Sequence, residues 1–148
     1  MLYRKIKKHY QYELKQIECF IVELPDVGII ASVGSIHGFV TCLGGVLTIQ
    51  KYYQWDGSTI PLKKWYKWIF DSDKYCKVAS LCHDALYQLM QNGLIDLKHK
   101  DYIDTLYGQM CVKGGMGERQ AATRVWALKK FAKIEVVTAE EQEILEAI

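Results

Sequence analysis

The sequence predicts an α+β fold, in which a small N-terminal antiparallel β-meander is followed by three to four packed helices. Residues 11–55 are rich in β-branched and aromatic side chains and are interrupted by glycine pairs. From Leu62 onward the apolar residues instead recur with the period of a helix. No internal repeat or low-complexity stretch divides the chain. We therefore expect a single domain over residues 1–148, β-rich over 11–55 and helical over 62–148.

The strand predictions follow alternation and turn signals in the first third of the chain. Polar and apolar residues alternate between Leu14 and Glu23, as in a strand with one buried face. Three further segments rich in β-branched residues are strand candidates, namely 29–33, 38–43 and 45–53. The Gly44-Gly45 pair predicts a tight turn between the last two, because glycine tolerates a positive φ. Together these segments predict a meander of three or four strands.

The helix predictions rest on i, i+3, i+4 spacing and on capping residues. Asp73 and Asp96 are the expected N-caps of two helices, and Asn92-Gly93 is a typical end of the first. In chain order the predicted helical segments are 63–70, 73–92, 96–114 and 116–133, with a short terminal helix opened by a capping box at 138–141. On the helix over 116–133, Arg119 and Arg124 are expected to form surface ion pairs.

Composition and charge narrow the classes of function. Half of the 148 residues are hydrophobic, enough for one ordinary core, and 19 basic against 17 acidic residues give no strong nucleic-acid signal. The five cysteines are scattered without a Cys-x-x-Cys pair, which favours reduced thiols over a zinc ribbon or a disulfide framework. The N-terminus lacks a secretory pattern, and no apolar run reaches the roughly 20 residues of a membrane span. We therefore expect a cytoplasmic protein without a membrane span.

Two polar motifs lie in otherwise apolar surroundings. Asp56-Gly57-Ser58-Thr59-Ile60-Pro61 has the pattern of a strand end followed by a turn, and His83-Asp84-Ala85-Leu86-Tyr87 lies within a predicted helix. Polar groups that leave water need hydrogen-bond partners. On the next helix Asp101 and Asp104 are three residues apart, so their side chains are neighbours. If the two helices pack antiparallel, we expect Asp101 to approach His83 or Asp84, and Asp56 to complete the cluster.

These residues allow three interpretations. In the first, Asp56, His83, Asp84 and Asp101 bind a divalent metal ion, because imidazole and carboxylate groups are suitable ligands. Water bound to the ion then attacks a phosphoester. The catalytic set is then His83, Asp84, Tyr87 and Ser58, of which Tyr87 and Ser58 orient the substrate. In the second, the cluster is a structural polar network, in which Asp56 caps a turn and His83 bonds Asp101 or a carbonyl. In the third, it is a metal-free pocket that sequesters a nucleotide.

The two motifs also carry a resemblance. Asp56-Gly57-Ser58-Thr59-Ile60-Pro61, then His83-Asp84-Ala85-Leu86-Tyr87, then Lys100-Asp101, resembles a family of bacteriophage and prophage proteins catalogued as domain-of-unknown-function family 1353. The resemblance covers roughly residues 45–133 and leaves out residues 1–44. The chain departs from the family at Ser58-Thr59, where Ala-Ser is usual, and at Lys100, where alanine is usual.

The resemblance implies a phage origin and assigns no reaction. From the residues, our leading hypothesis is a metal-dependent phosphoester hydrolase, and the alternative is a non-enzymatic accessory protein that binds a host or virion protein. The expected partner is accordingly a host or phage protein, or a small phosphorylated molecule.

Overall fold

The computed structural model describes residues 1–5, 12–24, 40–55 and 73–134. In this part of the chain, short strands come first and three helices follow, so the α+β prediction is confirmed. The strands are β1 (Tyr3–Lys5), β2 (Tyr12–Leu14), β3 (Glu18–Ile21), β4 (Val40–Leu43), β5 (Val46–Ile49) and β6 (Gln54–Trp55). The helices are α1 (Asp73–Gln91), α2 (Lys100–Lys113) and α3 (Glu118–Phe131), and a 3-10 turn at Leu97–His99 precedes α2.

The strands form two three-stranded antiparallel sheets rather than one meander. The first sheet has the order β1-β2-β6 and the second the order β3-β5-β4. The predicted turn at Gly44-Gly45 is confirmed, since both glycines have positive φ (+54° and +81°) and join β4 to β5. The predicted strand between Leu14 and Glu23 is divided, because the chain bends at residues 15–17 and its two parts pair with different sheets.

Glu13 holds the first sheet together. Its carboxylate accepts hydrogen bonds from Arg4 on β1, from Lys15 at 2.6 Å, and from Gln54 on β6 at 3.1 Å. Burial opposes ionisation of Glu13, but these three donors prevail and hold its pKa at about 2, below the usual 4.5. The basic N-terminal segment therefore forms a strand without any apolar alternation of its own, because its arginine pairs with a buried carboxylate.

The helices begin and end close to the predicted positions. Gly93 after α1 has a φ of +70°, as expected of a left-handed residue after a helix. The Asp96 side chain accepts a hydrogen bond from the Lys98 amide at 2.8 Å, so the predicted cap is present, although it opens the 3-10 turn and not α2 itself. The helix predicted over 116–133 is shorter at both ends, beginning at Glu118 and ending at Phe131.

The main core lies between the strands and α1. It is formed by apolar residues of both sheets and by the buried face of α1, the largest being Leu14, Leu47, Ile49, Trp55, Leu81, Leu86, Leu89 and Met90. The Trp55 indole N–H donates to the Ser80 hydroxyl at 3.2 Å and ties β6 to α1. A smaller cluster joins the three helices through Cys76, Ala79, Tyr107, Cys111, Met116, Ala121 and Leu128.

Some sequence predictions fall outside the described residues. These are the strand at 29–33, the amphipathic segment at 63–70 and the terminal helix from 138. Among the helices that the structure does describe, none combines the length and the hydropathy needed to cross a membrane.

Candidate functional site

His83 lies on the face of α1 that packs against α2. Its imidazole is buried, and Nε2 lies 2.8 Å from Oδ1 of Asp104 on α2. The ring also packs against two tyrosines, with ring-centroid distances of 4.0 Å to Tyr87 and 5.1 Å to Tyr107. The histidine is therefore fixed both by a hydrogen bond and by ring packing.

Asp104 is fully buried, and both of its carboxylate oxygens are hydrogen-bonded. Oδ1 accepts from His83 and from the Tyr87 hydroxyl at 2.5 Å, and Oδ2 accepts from the Lys100 ammonium at 2.7 Å. Lys100 also donates to the Leu128 carbonyl on α3 at 3.1 Å. We call His83, Tyr87, Lys100 and Asp104 the Asp104 network; it links α1, α2 and α3.

Burial and hydrogen bonding shift the pKa values of His83, Asp104 and Tyr87. Burial alone would favour neutral His83, but Asp104 and Asp84 outweigh it and raise the pKa of the imidazole above 6.5. Burial likewise opposes ionisation of Asp104, yet its donors hold the pKa of this carboxyl below the usual 3.8. Burial and the contact with Asp104 raise the pKa of Tyr87. Its hydroxyl therefore stays protonated and donates a hydrogen bond to Asp104. These contacts therefore favour the protonated imidazole of His83 and the ionised carboxylate of Asp104.

Asp104 takes the place that the sequence analysis gave to Asp101. The Asp101 carboxylate is 79 % exposed and lies 2.9 Å from the Lys129 ammonium on α3, so the expected approach of Asp101 to His83 is not observed. Three residues along a helix leave two side chains about 60° apart, enough to place one towards α1 and the other towards α3. The signal for Asp104 was its spacing, because it shares a helical stripe with Tyr107 and Cys111, both buried.

Arg124 was expected at the surface and is instead buried. It lies on α3, and Nη1 donates to the Tyr107 hydroxyl at 3.0 Å. Because Tyr107 also packs on His83, the arginine extends the polar contacts of α2 into α3. A guanidinium that leaves water must keep such hydrogen bonds, so Arg124 contributes to the packing of α3 and not to a surface ion pair.

The described residues do not fit the predicted metal ion. Of the predicted ligands within the described ranges, Asp84 lies nearer His83, with Oδ1 3.9 Å from Nδ1, and Asp101 points elsewhere. The carboxylate that does contact His83 already holds the Lys100 ammonium, which would repel a second cation. No group of three or more histidine, cysteine or acidic side chains within the described ranges could hold a metal. Asp56 and Ser58 lie outside those ranges.

A second feature, which the sequence analysis missed, is a groove between α2 and α3. It is an open surface groove of about 610 Å³ that is lined mainly by small or apolar residues, including Thr105, Gly108, Val112, Ala121, Ala122 and Val125. We call it the α2–α3 groove. Its narrow floor depends on Gly108, because a Cβ there would lie 2.3 Å from Cγ2 of Val125. The sequence signal was the run of small residues on one helical stripe of each helix.

Trp126 forms one side of the α2–α3 groove. It is 53 % exposed and packs edge-to-face on Phe131, with ring centroids 5.7 Å apart. Lys129 lines the groove beside it, and Lys130 lies 5.0 Å above the Trp126 ring. An exposed tryptophan beside an apolar trough is the kind of surface that proteins use to bind one another.

Comparison of the chain with protein-family models, with curated proteins and with solved structures gave no match. The resemblance to the phage family, and the origin that it implies, therefore stay predictions.

Proposed function

We propose that this chain is a protein-binding domain, and that its α2–α3 groove holds the apolar face of an acidic amphipathic helix. The observation that carries the proposal is the groove itself, an apolar trough of about 610 Å³ with a half-exposed tryptophan at its side. Helix-in-groove recognition uses such a trough for the apolar stripe of a partner helix. The resemblance to phage proteins supports a host or virion protein as the source of that helix.

The charge around the groove favours an acidic partner. Lys113 at the end of α2, Arg119 at the start of α3, and Lys129 and Lys130 near its end are all exposed. The charged residues that line the groove are Glu118 and Lys129, and Lys129 already pairs with Asp101. The excess positive charge therefore comes from Lys113, Arg119 and Lys130, which flank the groove on the two helices. Carboxylates flanking an apolar stripe would therefore meet a net positive rim, which increases the association rate and selects against basic partners.

In this proposal the Asp104 network positions the groove. Lys100 bonds both Asp104 and the Leu128 carbonyl, so it ties α2, one wall of the groove, to α3, the other wall. His83 and Tyr87 hold the same carboxylate from α1. Binding then needs no metal ion. The metal-dependent phosphoester hydrolase stays a prediction that depends on Asp56 and Ser58.

A titration with two designed helical peptides tests this function. One peptide carries leucine on one face and glutamate on the other, and its partner carries lysine in place of glutamate; both are fluorescein-labelled. Fluorescence anisotropy with the wild-type chain should show binding of the glutamate peptide, weakened by salt and unaffected by a chelator.

Two neighbouring substitutions on α3 localise the binding. Ala122→Glu places a charge in the apolar trough and should weaken binding at least about tenfold, because a buried charge without a partner costs more than about 1.4 kcal/mol. Thr123→Glu is the matched control, since Thr123 is exposed and does not line the groove. It should change the affinity by less than about twofold.

Several results would refute the acidic partner. Failure of the glutamate peptide to bind, equal binding of the lysine peptide, or equal effects of Ala122→Glu and Thr123→Glu would each do so. If sedimentation shows a wild-type dimer that Ala122→Glu dissociates, the occupant of the groove is a second copy of this chain and not a separate partner. If the glutamate peptide binds only after residues 135–148 are removed, the occupant of the groove is the chain's own acidic C-terminal segment.

A further inference from the structure

Two cysteines of the smaller core cluster lie in direct contact across the α1–α2 interface. Sγ of Cys76 on α1 and Sγ of Cys111 on α2 are 2.9 Å apart, and both residues are fully buried. A disulfide needs an S–S distance of about 2.05 Å, so the two sulfurs lie within about 1 Å of bonding distance. The spacing of these two cysteines in the sequence does not predict the contact, and the proposed binding function does not use it.

We propose that Cys76 and Cys111 form a reversible disulfide that joins α1 to α2 under oxidising conditions. The co-reactant is a low-molecular-weight disulfide such as oxidised glutathione. One thiolate attacks it to form a mixed disulfide and releases one glutathione thiolate; the second cysteine thiolate then displaces the other. Two protein thiols lose two protons and two electrons, one S–S bond breaks in glutathione, and one forms in the protein.

The other three cysteines are placed differently. Cys19 is exposed on β3, near the Thr48 hydroxyl. Cys42 and Cys82 are buried in the main core, among the strands and α1. The close sulfur–sulfur contact therefore selects Cys76 and Cys111 as the pair, and the other three serve as internal controls.

Burial determines how fast the bond forms. Contact with Cys76, together with burial, raises the pKa of the Cys111 thiol, so little thiolate is present in the folded protein. Exchange should therefore be slow in buffer alone and faster in urea concentrations below the unfolding transition, which increase transient opening of α1 from α2. Once formed, the bond is shielded from reductants for the same reason.

The bond should also stabilise the fold. It connects residues 35 positions apart, and a cross-link of that length restricts the unfolded chain substantially. We expect the melting temperature of the oxidised protein to exceed that of the reduced protein by about 10 °C.

Thiol counting and peptide mapping on the full chain test the proposal. The protein is incubated with oxidised or reduced glutathione in mild urea, then denatured, alkylated and analysed by mass spectrometry. In the oxidised sample two cysteines should carry neither an alkyl group nor glutathione, whereas the reduced sample should carry five alkyl groups. A digest of the oxidised sample should contain the peptide pair joined through Cys76 and Cys111. Cys19→Ser should preserve the linked pair, while Cys111→Ala should abolish both the pair and the melting-temperature difference.

The mapping needs no variant, so a poorly folding Cys111→Ala would not prevent a decision. Five alkylated cysteines after oxidation would overturn the proposal, as would a bond that joins a different pair. A melting temperature that is the same in both redox states would overturn the stabilising role of the bond.

Discussion

Replacing Asp104 by asparagine should destabilise the protein by about 3 kcal/mol. Removing one partner of a buried ion pair typically costs about 3–5 kcal/mol. The lower end applies here, because the Lys100 side chain is 21 % exposed and keeps the Leu128 carbonyl. The asparagine oxygen can also still accept from His83 and Tyr87, whereas its NH₂ group would face the Lys100 ammonium, donor against donor. The lost charge and the donor clash together account for the expected cost.

Urea unfolding measures this cost, and the same helix supplies a control. For an m-value of about 2 kcal/mol/M, the midpoint should fall by about 1.5 M with the slope unchanged. Asp101→Asn removes a carboxylate of the same helix that is 79 % exposed, so it should cost less than about 1 kcal/mol. An Asp104→Asn midpoint within error of wild type, or equal losses for the two variants, would refute the structural role of the Asp104 network.

Four further predictions follow from the described contacts. Asp84→Asn should stay folded and lower the free energy of unfolding by less than about 1 kcal/mol, because the Asp84 side chain is 36 % exposed. If elemental analysis found near-stoichiometric metal in the wild type and none in this variant, the binding function would be contradicted. The stability contributed by protonated His83 should be complete below about pH 6.5 and disappear as the pH rises through its raised pKa, so His83→Gln should flatten the alkaline fall of the urea midpoint. Glu13, with a pKa of about 2, contributes stability above about pH 4.5 that is lost on acidification, and Glu13→Gln should remove this acid dependence. Gly108→Val should cost about 2 kcal/mol or more and weaken peptide binding, because even a Cβ there overlaps Val125; unchanged thermal unfolding would contradict the close packing.

For the three helices that the structure describes, the sequence predictions were good because their signals are local. The Asp96 cap, the left-handed Gly93 and the apolar spacing along α1 each depend on residues a few positions apart. The strands were harder to predict. β1 forms because Arg4 meets the buried carboxylate of Glu13, and β6 because Trp55 pairs opposite Tyr12, and both contacts join distant segments.

The candidate site was predicted in part. His83 and Tyr87 do form a buried polar cluster with an aspartate of the next helix. Antiparallel packing of the two helices led us to expect Asp101 beside His83, whereas the helical stripe through Tyr107 places Asp104 in the interface. The α2–α3 groove was not predicted, because whether small residues on two helices face each other depends on how those helices pack.

Mapping the bound peptide by NMR tests the central claim most directly. Amide spectra of the ¹⁵N-labelled chain would be followed during titration with the glutamate peptide. The account predicts shifts at Gly108, Val112 and Ala122 and at the Trp126 indole, which line one groove. Shifts centred on His83 and Asp84 would contradict it by placing binding at the polar cluster, and a spectrum unchanged by the peptide would contradict it outright.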